Sequence, residues 1–308
     1  MAAPKSTELY VDVEGRTLKI GNLDKVLYPL TGTTKGEVLN YYAQISPTLL
    51  VHLKDRAVTR IRWPHGVQDL SFFEKNAPAG TPSWVRTVTV PTTGSRGSSS
   101  SVRSAGADTL VFPVVDDLAT LTWLANLAAL ELHVHQWRVG RNGRPRNADR
   151  IVIDLDPGEP AGLQACCQVA LLVCDKLVER DLVGRAVLSG SKGLHLYADL
   201  PTRLPPEEST ALAKEIAEEL QAEHPRLVTA TMTKARRGGK VFLDWSQNSG
   251  SKTTISPYSL RGRERPYVAA PVSWDEVAQG ADDPLGLEQL RFDEVLDRVA
   301  DLGDLFAG

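Results

Sequence analysis

Cysteine is scarce in this sequence: the 308 residues include three, all within one stretch that has helical spacing, at Cys166, Cys167 and Cys174. Because none of them has a partner elsewhere in the chain, a disulfide framework across the fold is excluded. No further ligands at zinc-site spacing accompany them. We interpret them as small buried apolar residues of a helix, which fits a reducing cytoplasm.

Long apolar runs are also missing. No stretch of about 18 apolar residues occurs, so we expect no membrane span. The first residues, MAAPKSTELYVDVEG, contain no apolar run, and we expect no signal peptide. Hydrophobic and charged contents of 42% and 24% are typical of a globular protein. We therefore expect a cytoplasmic protein without membrane contact.

Positive charge is not in excess overall, since the net charge is −3. The segment from Asp275 onward holds ten acidic and two basic residues, so its charge of −8 leaves +5 on the rest. Clustered cations can bind nucleic acid whatever the net charge, although they are also common on solvated faces. The clusters are Arg56, Arg60 and Arg62; Arg138, Arg141, Arg144, Arg146 and Arg150; Lys234, Arg236, Arg237 and Lys240; and Lys252, Arg261, Arg263 and Arg265.

Helix-like and strand-like segments alternate along the chain, which indicates an α/β or α+β fold with no obvious linker. Residues 34–53 have helical spacing, with a threonine cap and Glu37 as a capping-box partner. Residues 56–62 alternate as a strand. The Ser/Gly-rich segment 91–109 is predicted to be a long hairpin loop between two strands.

Two carboxylates, Asp154 and Asp156, end an apolar strand in the string IVIDLDPG. Alternate residues of a strand share a face, so both side chains point the same way, about 7 Å apart. Two hard oxygen ligands at this spacing suit divalent cations that act on phosphates. A pair of aspartates that merely ends a strand before Pro157 is the structural alternative.

A second motif, Ser189-Gly190-Ser191-Lys192-Gly193-Leu194-His195, follows another predicted strand. Its glycines and serines allow backbone N–H groups to approach an anion, and the lysine adds a positive charge for phosphate. The order of a Walker A loop is absent. The alternative is an ordinary surface turn.

A third carboxylate, Asp244, ends the apolar strand of KVFLDW in the same local setting as Asp154. A third carboxylate from another strand is what a two-metal site needs, although each carboxylate alone is commonly structural. Paired aromatics at Phe72 and Phe73 suit base stacking or a core. His133 alternates with His135 and suits a phosphate contact or simple burial. Together these features point to nucleotidyl transfer.

The order DLDPG, SGSKGLHLY and VFLDWSQN resembles motifs I, II and III of the archaeo-eukaryotic primase superfamily. Within it, the chain is similar to the polymerase domain of bacterial DNA ligase D and to stand-alone primase-polymerase relatives. The match runs from about Asn22 to Ala270 through the strings NLDKVLYP, TGTTKGE, FFEK, LELHVHQWR, TMTKARRGGKVFLDWSQN and SKTTISPYSLRGR.

This resemblance implies an α+β archaeo-eukaryotic primase fold. Its central mixed or antiparallel sheet, with an RRM-like catalytic half, is flanked by helices and joined by an N-terminal α/β subdomain. One primase-polymerase domain would span residues 1–308. It would comprise an N-terminal part at about 1–130, a catalytic part at about 131–270 and an acidic helical tail at about 271–308.

The resemblance also implies an activity, a DNA-directed nucleotidyltransferase with two divalent ions, Mn²⁺ or Mg²⁺. It would extend a primer 3′-hydroxyl with ribo- or deoxyribonucleotides at short gaps or double-strand-break ends, in non-homologous end joining or gap filling. Expected partners are gapped or broken DNA with a 5′-phosphate, an NTP or dNTP, Ku and a DNA ligase. We expect a monomer in the cytoplasm, associated with the nucleoid.

Site residues follow from the resemblance position by position. Metal ligands would be Asp154, Asp156 and Asp244. The incoming nucleotide would meet Ser189, Lys192, His195, His133 and Arg263. DNA would meet Lys25 and Lys35 at the 5′-phosphate, Phe72 and Phe73 by stacking on the template, and Arg62.

Three departures from the family pattern stand out. Ile61 occupies a position where the ligase D polymerase domains have a basic residue. The Ser-rich segment 91–109 is longer than in those domains. No ligase or nuclease segment accompanies the chain, which leaves a stand-alone enzyme or an excised part of a longer one open. The rival functions are a two-metal nuclease, which needs no triphosphate loop, and a DNA-end binding module without catalysis.

Overall fold

The computed structural model describes residues 8–91 and 109–307. They form a mixed α and β fold, as the sequence predicted. The predicted hairpin loop at 91–109 lies, apart from its two end residues, outside the described residues. None of the helices in the described ranges is long and apolar enough to cross a membrane.

A seven-stranded sheet carries the central part of the chain. Its longest strand, β11, has apolar residues on one face and alternates them with Asp154 and Asp156 near its end. Pairing is antiparallel except between β14 and β15. The strand order is β14 (Val228–Thr229), β15 (Val241–Asp244), β11 (Pro145–Pro157), β13 (Leu194–Leu204), β12 (Gly184–Leu188) and β17 (Pro271–Val272), with β10 (Trp137–Val139) on β11.

Two helices, α3 (Leu163–Val178) and α4 (Pro206–Glu223), pack on this sheet. All three cysteines are free and lie on α3; Cys166 and Cys167 are fully buried, as predicted, whereas Cys174 is only partly buried.

A second, four-stranded sheet lies beside the first. Its strand order is β16 (Thr254–Ile255), β9 (Ala129–Val134), β5 (Val58–Arg62) and β6 (Phe72–Glu74). The helices α1 (Lys35–Leu53) and α2 (Leu118–Asn126) pack against each other, and α2 contacts β9. Helix α1 begins with a capping box between Thr34 and Glu37; the sequence predicted Glu37 as the partner and left Thr33 or Thr34 as the cap.

Three short strand pairs complete the β structure of the residues that the structure describes. They are β1 (Leu9–Val13) with β2 (Arg16–Ile20), β3 (Val26–Tyr28) with β4 (Thr33–Thr34), and β7 (Thr87–Pro91) with β8 (Thr109–Pro113). The last pair flanks the Ser-rich segment, as the sequence predicted.

The acidic segment forms α5 (Trp274–Asp282) and α6 (Phe292–Leu302). Helix α5 packs on α3, and α6 packs on α1. Just before them, β17 extends the seven-stranded sheet. One hydrophobic core runs from Leu27 to Phe306 and includes residues of both large sheets. The acidic segment is therefore packed into the fold.

Candidate active site

The three aspartates lie together on one face of the seven-stranded sheet. Asp154 of β11 stands directly opposite Asp244 of β15, and Asp156 stands opposite Phe242. Directly opposed residues of an antiparallel pair share a face, with Cβ atoms about 5 Å apart. Asp154 and Asp156 share that face because they are two residues apart, about 7 Å along the strand. Strand pairing thus brings together carboxylates that are distant in sequence.

Two of the three carboxylates, Asp154 and Asp244, already have protein partners. Asp154 Oδ1 lies 3.3 Å from Nε2 of His195, which is its direct neighbour on β13. Asp244 Oδ1 accepts a hydrogen bond from the Ser246 backbone N–H at 3.0 Å, and Oδ2 accepts one from Gln247 Nε2 at 2.9 Å. These contacts fix the orientation of both side chains.

Asp156 is the carboxylate with least compensation. Removal of water by the surrounding protein, followed by the negative charges of Asp154 and Asp244, raises its pKa to about 6. His195 and Arg237 oppose this shift without cancelling it. The aspartate face therefore carries an excess of negative charge at neutral pH.

A divalent cation fits this donor set by its chemistry. Within residues 8–91 and 109–307, no three His, Cys, Asp or Glu side chains are positioned as they stand to hold one metal ion. Asp154 and Asp244 face protein hydrogen-bond donors instead. Nevertheless, carboxylate oxygens are the ligands that Mn²⁺ and Mg²⁺ prefer, and the raised pKa of Asp156 indicates that positive charge is lacking here.

The loop from Ser189 to Gly193 lies next to the aspartates and has a rigid form. Ser189 Oγ accepts hydrogen bonds from the backbone N–H groups of Ser191 at 3.2 Å and Gly193 at 3.1 Å. Gly193 packs so tightly against the carbonyl of Leu155 that a Cβ atom has no room. Glycine is required at Gly193 because the loop sits on the strand that carries the aspartates.

Lys192 projects from this loop into solvent. Its side chain is 70% exposed and its ammonium group is 3.1 Å from the carboxylate of Glu159, itself 84% exposed. Such an exposed pair is weak, so Lys192 is free to turn toward a bound phosphate. His195, in contrast, is buried at the end of the loop and faces Asp154.

A second charged cluster borders the loop and includes Arg261, which the sequence analysis placed in a basic cluster but not among the site residues. Arg261 packs against Gly190, where no Cβ atom fits, and its guanidinium lies 3.3 Å from Glu131. Glu131 also binds His133 Nε2 at 2.7 Å. Arg263, the arginine singled out from the sequence, is exposed two residues further on. The string SLRGR offers both arginines, and its pattern does not distinguish them.

The two predicted phosphate-binding lysines lie close together but differ in their surroundings. The backbone N–H of Lys35 donates to the Lys25 carbonyl at 2.7 Å. Lys35 Nζ is buried and donates at 2.6 Å to both Gly21 O and Asn126 Oδ1. Burial, and then the charge of Lys25, lowers the pKa of Lys35 to about 8. Lys25 is partly exposed, with His65 Nδ1 at 3.5 Å.

The predicted stacking aromatics are exposed on the edge strand β6. Phe72 and Phe73 are 48% and 49% exposed. Ile61 stands directly opposite Phe73 and Arg62 opposite Phe72. Arg62 is held within the protein by Glu74 Oε1 at 2.9 Å and by the Leu127 carbonyl at 2.8 Å. Ile61 therefore lies beside Phe73 on one face of the strand pair, and Arg62 lies beside Phe72 on the other.

Comparison with known proteins agrees with this architecture. The sequence model of the LigD primase-polymerase domain matches residues 34–306. The chain belongs to the LigD primase-polymerase family. Members of this family are polymerase-type nucleotidyltransferases, so the predicted enzyme class and the predicted resemblance are confirmed.

Two relatives show how far this LigD similarity extends. The multifunctional non-homologous end joining protein LigD of Mycolicibacterium smegmatis is 47% identical over 290 residues, which cover 94% of this chain and 36% of that protein. The bifunctional non-homologous end joining protein LigD of Bacillus subtilis is 34% identical over 287 residues, which cover 93% of this chain and 43% of that protein. The chain thus spans between a third and a half of the length of these relatives.

A solved structure shows the same fold. The polymerase domain of Mycobacterium tuberculosis ligase D, in complex with DNA, aligns with a TM-score of 0.84 and 47% identity. The alignment covers 94% of this chain and 96% of that domain. The archaeo-eukaryotic primase fold predicted from the sequence is therefore confirmed.

Proposed function

We propose that this chain extends a primer 3′-hydroxyl by templated addition of ribo- or deoxyribonucleotides at short gaps or double-strand-break ends. The observation that carries the proposal is the convergence of Asp154, Asp156 and Asp244 on one sheet face beside the Ser189–Gly193 loop. A cluster of carboxylates next to an anion-binding loop suits a metal-bound triphosphate.

The three aspartates are proposed to hold two divalent cations, Mn²⁺ or Mg²⁺. When bound, such ions neutralise the triphosphate and lower the pKa of the attacking hydroxyl. His195 would keep Asp154 oriented through their 3.3 Å contact. Asp244 is oriented in the same way by the donors of Ser246 and Gln247.

The triphosphate is proposed to lie against the loop side of the aspartates. Ser189 shapes the loop there, and Lys192 can exchange its exposed partner Glu159 for a phosphate. Arg261 lies against the same loop and can add positive charge, because Glu131 occupies only part of its guanidinium. His133 and Arg263 remain proposed triphosphate contacts further out.

DNA is proposed to reach the site across the face of β6. Phe72 and Phe73 are exposed on opposite faces of this edge strand, and each offers an aromatic ring that can stack on a template base. Lys25 and Lys35 would attract the 5′-phosphate on the far side of a gap, while Arg62 lies beside Phe72. Because the relatives are named for non-homologous end joining, we infer that broken DNA, Ku and a DNA ligase are partners of this chain. We also propose that the chain acts as a monomer, at the nucleoid in the cytoplasm.

The direct test is the double substitution Asp154→Ala with Asp156→Ala on a labelled primer in gapped DNA with Mn²⁺. We expect the wild type to lengthen the primer and the variant to leave it unchanged. The matched control, Asp301→Ala on α6, removes an exposed carboxylate outside the site and should retain activity. Lengthening by the double variant would refute the metal-site assignment.

The same assay separates the rival functions. Shortening of the primer by the wild type would indicate a two-metal nuclease. Binding of gapped DNA without incorporation would indicate an end-binding module. Comparing both sugar types and both metals then gives the nucleotide and cation preference.

A further inference from the structure

An open pocket of about 400 Å³ lies at the β14 edge of the seven-stranded sheet, and the roles assigned above do not use it. It lies beyond β15, on the opposite side of β11 from β13 and the Ser189–Gly193 loop. Its lining residues are Gln221, Pro225, Thr229, Thr231, Arg236 and Lys240.

The donors of this pocket favour an anion. Gln221 Oε1 accepts from the Ala230 N–H at 2.8 Å and from the hydroxyl of Thr229 at 3.1 Å. These bonds fix the orientation of the amide, so its NH₂ group remains available to donate. Lys240 Nζ uses one donor on the Pro225 carbonyl at 2.6 Å, and Arg236 is exposed. None of the described residues that line the pocket is acidic.

The pocket is tied firmly to the aspartate face. The Gly158 N–H, just after Asp156, donates to the Lys240 carbonyl at 2.8 Å, and the Gly239 N–H donates to the Gly158 carbonyl at 2.9 Å. Gly158 has no room for a Cβ atom, because the backbone of Arg237 lies against it. Arg236 and Lys240 are thus held by the same turn that ends the aspartate strand.

The distance to the aspartates follows from the strand register. Thr229 is paired with Phe242, and Phe242 is paired with Asp156. Two strand spacings therefore separate Asp156 from Thr229, roughly 10 Å. This is close enough for a nucleic-acid strand that ends at the aspartates to reach the pocket.

The position of the pocket, on the β15 and β14 side of the aspartates, decides which nucleic-acid strand it contacts. In nucleotidyl transfer, the attacking and leaving oxygens lie roughly in line on opposite sides of the phosphorus. The proposed triphosphate loop lies on the β13 side of the aspartates, so the leaving pyrophosphate departs toward β13. The attacking 3′-hydroxyl must then come from the β15 and β14 side, where the pocket lies.

From this arrangement we infer that the pocket of Gln221, Arg236 and Lys240 binds a backbone phosphate of the primer strand, within the first few linkages from its 3′ end. The inference rests on the proposed function, because the direction of approach depends on where the triphosphate binds. The proposed ligand is one phosphodiester group, bound by the cations of Arg236 and Lys240 and by the amide of Gln221.

The test is a binding cycle between protein and DNA changes. The protein variants are Arg236→Ala and Lys240→Gln, with Arg203→Ala as a control that removes an exposed arginine outside the pocket. The DNA is a template–primer in which each of the four 3′-terminal primer linkages is replaced in turn by an uncharged methylphosphonate. Affinity is measured by fluorescence anisotropy over a range of salt concentrations.

We expect each pocket variant to weaken binding of unmodified DNA roughly fivefold and to reduce the salt slope by about 1, as for the loss of one phosphate contact. One methylphosphonate position should weaken the wild type by a similar factor, yet have no further effect on Arg236→Ala. Arg203→Ala should behave as the wild type. Losses that multiply at every primer linkage would overturn the proposal.

Two further measurements identify other phosphate sources. Loss of coupling to the primer together with coupling to template linkages would assign the pocket to the other strand and overturn the proposal. A rise in the KM for the nucleotide in Arg236→Ala, with unchanged DNA affinity, would assign it to the triphosphate and also overturn it. Failure of the wild type to incorporate nucleotides would instead count against the proposed function, because the binding cycle does not require turnover.

Discussion

Two carboxylates of this protein, Asp156 at the end of β11 and Glu131 within β9, have opposite electrostatic surroundings. Burial acts to raise the pKa of both. Around Glu131, the hydrogen bond from His133 and the charge of Arg261 outweigh burial and lower the pKa to about 2. Around Asp156, two further carboxylates add to burial and the pKa rises to about 6.

The difference separates charges that serve the fold from charges that await a ligand. Glu131 has its cations and its N–H donor, Gly262, within the chain. In the described part of the chain, no hydrogen bond or ion pair reaches the carboxylate of Asp156, and the charges of His195 and Arg237 do not cancel the rise in its pKa. Further compensation would come from a bound cation. The same contrast recurs between Lys35, which is bonded internally, and Lys25, which is partly exposed.

The largest expected effect is on the aspartate side of the comparison. Asp244→Asn should lower nucleotide incorporation by about a thousandfold, because a metal ligand worth several kcal/mol of charge stabilisation is lost. Thermal stability should change little, since Asn can still accept the Ser246 N–H bond and the decrease in like-charge repulsion offsets the loss of the Gln247 bond to Oδ2. Single-turnover incorporation and thermal melting measure the two quantities.

Ser246→Ala is the matched control for Asp244→Asn, because it removes a neighbouring polar contact and leaves the carboxylate in place. Its incorporation rate should stay within roughly tenfold of the wild type. A similar loss in both variants would show that Asp244 acts through the local turn and not as a ligand.

Glu131→Gln, on the other side of the comparison, should lower the stability of the fold. The free energy of unfolding should fall by about 3 kcal/mol, because Arg261 loses its buried partner. The pKa of Glu131 lies below its usual value of 4.5 in the folded chain, so its contribution is fully present above 4.5 and disappears as pH falls through about 2. Chemical denaturation of variant and wild type between pH 7 and pH 3 measures this, and a difference that does not shrink with acid contradicts the assignment.

Added Mn²⁺ should stabilise the wild type against unfolding, by about 2.7 kcal/mol at a concentration of 100 times Kd. Asp156→Asn should show little of this gain. The effect should weaken below about pH 6, because a protonated Asp156 is a poor ligand. Differential scanning fluorimetry with and without the ion measures it, and equal stabilisation of Asp156→Asn would place the ion elsewhere.

The smallest expected effect concerns the two lysines. Lys25→Ala should weaken binding to gapped DNA roughly fivefold when the downstream 5′-phosphate is present, and not when it is absent. Lys35→Met should weaken the same binding and should also lower thermal stability, since its ammonium group bonds Gly21 and Asn126. An equal loss for Lys25→Ala with and without the phosphate would remove the 5′-phosphate role.

The sequence by itself determined much of this protein. Apolar alternation predicted that Asp154 and Asp156 share a strand face, and a threonine cap at Thr33 or Thr34 with Glu37 predicted the start of α1. The motif strings predicted the family and the fold, which the comparisons confirmed. These features are local or depend on residue order, and the chain carries both kinds of information directly.

Only the tertiary structure decided which distant residues meet. Strand register placed Asp244 opposite Asp154, and loop packing placed Arg261 rather than Arg263 against Gly190. Burial distinguished Lys35 from Lys25, although both belong to matching motifs. Side-chain periodicity gives the face that a residue occupies but not its partner on the next strand. The charge balance at Asp156, and hence its need for a cation, therefore follows from the folded arrangement.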